Sequence, residues 1–292
     1  MAHAAAPAAW PGLQAGDFDT FVLDQDGVLF HGAHPVPGAL ATVQKLKRAG
    51  KRVVYVTNNS GKSRAAVAAR LTANGVETSA DDVLTAGWAA ARHLASVGVL
   101  SCYVVGEAGL VDELREGGLR VVGWPDAAVT LPDADLALMF EEHGSRPDAV
   151  VVGLDSLFTY RKLCIASAFV QMGALFVGTN PDAGDRIGGG LAPGAGAMIA
   201  AVETVCGRKA TVVGKPHATM IEHLLTEHAL NANRTVMVGD RLDTDIAFGS
   251  AGGVKTCLVL TGVATQTEAE ALPSGHPCRP DYLMPSLADL LF

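Results

Sequence analysis

Asp24 and Asp26 stand two residues apart in the run LDQDGVLF, directly after a short apolar stretch. Carboxylates at that spacing leave a strand on the same side, and Gly27 lets the chain turn sharply behind them. In such a setting one carboxylate can attack phosphorus while the other protonates the leaving oxygen and then activates water. Asp24 takes the first part and Asp26 the second. An Asp-Gly pair after apolar residues makes an ordinary turn equally well, so the pair gains its meaning from the rest of the chain.

Three further clusters follow short apolar runs. In VYVTNNSGKS, Thr57, Asn58 and Asn59 end a strand-like run ahead of a helix start. Their hydroxyl and amide donors, with the free N–H groups of the helix end, suit a phosphoryl group, although the same residues also serve as plain helix caps. In VVGKPH, Lys215 lies between Gly214 and Pro216, where it can neutralise a phosphate and a carboxylate together. In MVGDRLDTDIAFG, Asp240, Asp243 and Asp245 crowd the step from an apolar run to a helix start. In an open parallel sheet the carboxyl ends of strands converge on one crevice, so residues remote in sequence meet there. Asp24, Asp26, Asp240 and Asp245 gathered in such a crevice would repel one another by roughly several kcal/mol. A hard divalent cation removes that cost, and Mg²⁺ suits oxygen ligands that must also hold phosphate. The cation and Lys215 would then offset charge on the transferring phosphoryl group.

Competing motifs fail on spacing. Gly61-Lys62-Ser63 resembles the end of a P-loop, but the opening glycine is replaced by Val56. His223 and His228 are five residues apart, roughly 140° around a helix, unlike the i,i+4 pair of a zinc helix. The acidic cluster lacks the glycine and distal glutamate of an EF-hand, with Ile246 and Ser250 in their places. The glycines at 188, 189, 190, 194 and 196 never complete a dinucleotide fingerprint.

The elements that must position these residues follow a βαβ grammar. Strands are expected over 20–23, 52–56, 211–213, 235–238, 256–260 and 282–283. Helices are expected over 38–48, from an N-cap at Ser60 to about Gly75, and over 219–227 and 245–250. Between the halves, residues 88–190 carry their own pattern: strands at 102–105, 120–122, 149–152 and 175–177, helices at 111–115 and 160–172. The middle can therefore bury its own core, leaving 1–87 and 191–292 as one discontinuous domain, with the glycine-rich stretch 184–196 as the hinge back.

Together these residues resemble the haloacid dehalogenase (HAD) superfamily, whose order of DxD, Thr or Ser, Lys and GDxxxxD is met by Asp24–Asp26, Thr57, Lys215 and Asp240–Asp245. TNNS, GKP and VGDRLDTDI are similar to the type IIA cap branch, with phosphoglycolate phosphatase, pyridoxal phosphatase and the 4-nitrophenylphosphatases. The resemblance implies an α/β fold, a Rossmann-like parallel-sheet core with an inserted α/β cap domain that selects substrate. It implies Mg²⁺ held by Asp24, the Asp26 backbone carbonyl and Asp240, with Asp245 supporting the water shell, and a phosphoryl group held by Thr57, Asn58, Asn59 and Lys215. The stretches VVGLDSLFTYRKL and GTNPD are similar to the cap's substrate loop and its neighbour. Leu157 stands where animal members of the branch place a histidine, so the contact made there is missing or replaced. Pairing of two copies through the cap is a further implication.

The expected activity is Mg²⁺-dependent hydrolysis of small phosphomonoesters through an aspartyl-phosphate, with 2-phosphoglycolate the first choice. Pyridoxal 5'-phosphate or a broad range typified by 4-nitrophenyl phosphate is the alternative. A sugar-phosphate mutase and an inactive binding protein fit less well, the first because of the large middle segment, the second because every catalytic residue type is present. The chain has 292 residues and a formal net charge of −8, which argues against nucleic-acid or anionic-membrane partners. Five scattered cysteines without a CxxC pair fit reduced thiols in the cytoplasm. No apolar run reaches the roughly 18 residues that span a bilayer, and the first residues lack the basic start of a secretory signal.

Overall fold

The computed structural model describes residues 10–122, 146–187, 190–227 and 229–292. Expectations for the first nine residues, for Gly188 and Gly189 and for His228 lie outside the described residues. In chain order the strands are β1 (Thr20–Leu23), β2 (Phe30–His31), β3 (His34–Pro35), β4 (Arg52–Thr57), β5 (Val83–Thr85), β6 (Ser101–Val105), β7 (Arg120–Val122), β8 (Ala149–Val152), β9 (Leu175–Gly178), β10 (Gly184–Ile187), β11 (Gly190–Pro193), β12 (Thr211–Val212), β13 (Thr235–Gly239), β14 (Lys255–Val259) and β15 (Tyr282–Met284). They divide between two compact units, each with its own sheet.

The first unit comprises Met1–Thr57, Ala68–Val83 and Lys215–Phe292. Its sheet runs β15-β14-β13-β1-β4-β5. The run TFVL of β1 is buried at every position, as a strand covered on both faces must be. It pairs in parallel with β13 and β4, aligning Leu23 with Val238 on one side and with Tyr55 on the other. That register brings the residues after β1 and β13, and the last residue of β4, to one edge of the sheet. The connection after β1 is a tight loop in which Gly27 adopts φ +84°, a conformation open to glycine at little cost. A small hairpin, β2 with β3, follows. Arg70 secures it, stacking 3.7 Å from the Phe30 ring centroid and donating to the Gly32 carbonyl.

The second unit comprises Asn58–Val67 and Leu84–Gly214. Its sheet runs β12-β9-β8-β6-β7, with parallel pairing throughout. Tyr103, Val150, Ile165, Phe169 and Val202 form its core.

Two expectations meet a different outcome here. In the stretch 184–196, expected as a hinge, β10 and β11 form an antiparallel hairpin, and Gly194 then caps the helix Ala195–Cys206. That helix places Ala195, Met198, Ile199 and Val202 against the second unit's core, and β12 pairs with β9 rather than with the first sheet. The chain thus re-enters the first unit at Lys215 instead of near residue 191. The physical reason is apolar burial, since the helix sets its apolar face on the second unit's core. Likewise Ser60 does not cap the helix Arg64–Ala73. Its hydroxyl is engaged with Leu154 and Thr179, and Ser63 accepts the Ala66 N–H instead.

Asp155, in the loop before the helix Tyr160–Gln171, forms a buried ion pair of 2.6 Å with Lys162 in the helix's first turn. The other Asp155 oxygen accepts the Leu157 N–H at 2.9 Å. This holds a turn on which Leu157 is 61% and Tyr160 80% exposed. Removing one partner strands a charge in a buried site, so Lys162→Met is expected to cost about 3–5 kcal/mol of stability. Urea unfolding checks this: a midpoint matching the parent's would show that the pair contributes nothing.

Candidate active site

Four of the expected residues meet in the first unit. Lys215 Nζ donates to Asp24 Oδ1 at 2.5 Å and to Asp245 Oδ1 at 2.7 Å. Asp24, Asp240 and Asp245 are all buried, and each offers a carboxylate oxygen within 4.8 Å of the others'. Backbone geometry sets this up. Asp24 follows β1 and donates its N–H to the Val238 carbonyl of β13, and Asp240 directly follows β13. Asp245 lies in a single π turn over Leu242–Ile246, a rare wide turn that recurs at functional sites. There its Oδ2 accepts the N–H groups of Asp240 and Arg241, both at 3.1 Å. One carboxylate thus ties the lysine to the turn that carries Asp240.

The remaining expected residues are distributed differently. Asp26 is exposed in the loop after β1, and its carboxylate lies outside the buried cluster. Thr57 is buried at the end of β4. Asn58 and Asn59 fall in the second unit, where Asn58 donates to Asp182 and its carbonyl accepts from Asn180. Asn59 turns back on its own backbone, accepting the Gly61 N–H at 2.8 Å. Asp243, part of the acidic run, pairs with Arg241 at the surface.

Three carboxylates share one ammonium in a buried space, and the electrostatics show it. Burial pushes the Asp24 carboxyl well up, against Lys215 and with Asp245 and Asp240 adding to the rise. Asp240 is pushed up to about 7 by burial and by Asp245, opposed by the Val263 N–H and Lys215. Burial disfavours charge on Lys215, but Asp24 and Asp245 outweigh it and hold the ammonium above its usual range. Excess negative charge on hard oxygen ligands fits a divalent cation. Asp24, Asp240 and Asp245 each offer a carboxylate oxygen that could ligate one.

The sequence reading overlooked the loop 261–264 after β14. Val263 N–H donates to Asp240 Oδ2 at 2.8 Å, and Thr261 Oγ1 to the Gly27 carbonyl at 2.5 Å. Its contribution comes mostly from backbone and glycine, which leave little signature in residue types.

A parallel sheet that gathers carboxylates and a lysine at its carboxyl edge belongs with α/β enzymes that handle phosphoryl groups. Residues 21–120 match the family described as haloacid dehalogenase-like hydrolase, and residues 212–290 a HAD-hydrolase-like family. The chain is 40% identical to the glycerol-3-phosphate phosphatase of Gallus gallus, over 94% of its own length and 91% of the relative's. It is 38% identical to phosphoglycolate phosphatase 2 of Arabidopsis thaliana, over 94% and 92%. Among solved structures, it matches the p-nitrophenyl phosphatase from Archaeoglobus fulgidus with a TM-score of 0.80 and 32% identity, covering 94% and 98% of the two chains. It also matches a Mycobacterium tuberculosis glycerol phosphate phosphatase solved with magnesium, with a TM-score of 0.81 and 32% identity, covering 95% and 77%. The chain belongs to the haloacid dehalogenase-like hydrolases, and it is a phosphatase, a phosphoric monoester hydrolase.

Proposed function

We propose that the protein hydrolyses small phosphomonoesters in two steps, with Asp24 as nucleophile and Asp26 as its acid/base partner. The observation that carries this is Lys215 held between Asp24 and Asp245 beside Asp240, in a buried cluster at the carboxyl edge of the sheet. Asp24 Oδ2 attacks phosphorus while Asp26 gives its proton to the departing alkoxide. Asp26 then takes a proton from water, which attacks phosphorus and releases phosphate from Asp24. Lys215 and Thr57 hold the phosphoryl group, with Asn58 and Asn59 following Thr57 in the chain. Asp24, Asp240 and the Asp26 backbone carbonyl would hold Mg²⁺, with Asp245 beside them. When bound, that cation supplies positive charge against the oxygens of the transferring group.

The substrate class we favour is a two- or three-carbon phosphomonoester, 2-phosphoglycolate first. Glycerol 3-phosphate is the second reading, favoured by the similarity to the Gallus gallus phosphatase. Inorganic phosphate released at fixed Mg²⁺ from these two, pyridoxal 5'-phosphate and 4-nitrophenyl phosphate tests the choice. A kcat/KM for 2-phosphoglycolate at least about tenfold above the others, or roughly 1.4 kcal/mol in transition-state binding, is expected. A preference for pyridoxal 5'-phosphate would overturn the small-substrate reading. No described helix is long and apolar enough to cross a membrane. The cytoplasm is the proposed setting, and pairing of two copies through the inserted domain belongs to the same reading.

A further inference from the structure

We propose that the loop 261–264 is a positioning element of the metal site, fixing the Asp240 carboxylate so that one oxygen is tied to protein and the other is left for the cation. The inference rests on the Mg²⁺ reading above. The loop lies outside every motif that marks the site in the sequence, yet it meets Asp240 from three directions. Val263 N–H donates to Oδ2 at 2.8 Å. Ala264 N–H donates to the Asp240 main-chain carbonyl at 2.9 Å. Gly262 packs flat against the side chain: a Cβ built there would lie within 2.5 Å of Asp240 Cβ and Cγ and would overlap Oδ2. Gly27, in the loop after β1, is also close, its built Cβ falling 2.6 Å from Asp240 Cγ. The carboxylate is therefore packed against two glycines.

The two loops that supply these glycines are also joined to each other. Thr261 Oγ1 donates to the Gly27 carbonyl at 2.5 Å, and His31 Nε2–H donates to the Thr261 carbonyl at 2.6 Å. The loop after β14 is thus clipped to the loop that carries Asp24 and Asp26. A magnesium ion demands near-ideal octahedral geometry at about 2.0–2.1 Å, so small rotations of a ligand carboxylate are felt directly. Groups that orient a ligand without touching the metal typically set about 10- to 100-fold in affinity.

The test is binding of Mg²⁺ alone to the substrate-free protein, by competition with Mn²⁺ whose free fraction is read by electron paramagnetic resonance. Gly262→Ala is expected to weaken Mg²⁺ binding about 10- to 100-fold, and Thr261→Val about threefold or more, in the same direction. At saturating Mg²⁺ the variants should regain most of kcat while the Mg²⁺ requirement stays raised. A loop that only supports the fold would lower the melting temperature of the metal-free protein and leave Mg²⁺ affinity of the folded fraction unchanged. Variants that bind Mg²⁺ within about twofold of the parent overturn the inference, and Thr261→Val alone decides the matter where Gly262→Ala does not fold. A parent protein that binds no Mg²⁺ overturns the metal reading, and this inference with it.

Discussion

Asp24→Asn is expected to abolish turnover, by about 10⁴-fold or more in kcat, without unfolding the protein. An amide of the same shape cannot form the acyl-phosphate bond, so no remaining group substitutes for the lost nucleophile. The stability of the variant is the sharper part. Burial and the neighbouring Asp245 and Asp240 disfavour charge on Asp24, and the Lys215 contact only partly offsets them. Neutralising the position relieves that repulsion while Lys215 keeps Asp245 as its partner. The metal-free variant should therefore melt at or above the parent temperature, as expected of a residue kept for chemistry at some cost to the fold. Phosphate release and thermal melting read the two halves separately. Full activity in Asp24→Asn sinks the mechanism, whereas inactivity through unfolding leaves the variant uninformative about chemistry and shifts the test to trapping phosphate on the parent protein.

The second large effect concerns the cation and pH together. In the metal-free fold the Asp240 carboxyl is pushed up to about 7 from an ordinary 3.8. A raised folded-state value means the fold binds this proton more tightly than the unfolded chain does. Its stabilising contribution is complete below about 4 and is lost as pH rises to about 7. Above that Asp240 is charged, and a divalent cation offsets the repulsion this charge meets. Below it, the cation must displace the proton first, which weakens apparent affinity up to about tenfold per pH unit. Mg²⁺ should therefore raise the melting temperature more at pH 8 than at pH 6. Asp240→Asn should flatten that difference. A gain that is equal at both pH values, or larger at pH 6, contradicts the assignment of Asp240 as a ligand.

Much of the site was legible because β1 and β13 are buried on both faces and read as unbroken apolar runs, each ending in acid residues. Asp24, Lys215, Asp240 and Asp245 could be found from type and position alone. The rest depended on facts that residue types do not encode. Asp243 sits in the same acidic run as Asp245, but the π turn sends one inward to Lys215 and the other out to Arg241. Asn59 has the right chemistry for phosphate, yet a local turn to Gly61 engages its side-chain oxygen. The packing around Asp240 is built from Gly262 and a main-chain N–H, which any sequence can supply. Helix Ala195–Cys206 was not foreseen, and even an apolar face does not say which of two cores it will cover.

The parallel pairing of β1 with β13 has a consequence for synthesis. Thr20 aligns with Thr235, so a nascent chain that has not reached β13 displays one unpaired edge of TFVL and carries Asp24 without Asp240. Closing that contact requires a loop of more than two hundred residues, which makes it a late and slow event. The second unit, continuous from Leu84 to Gly214 apart from its short leading segment, can complete its sheet while the first still waits for its partner strand. Competence for phosphoryl transfer thus arrives only with the last quarter of the chain, and until then the bare strand edge is what a chaperone or another nascent chain would encounter.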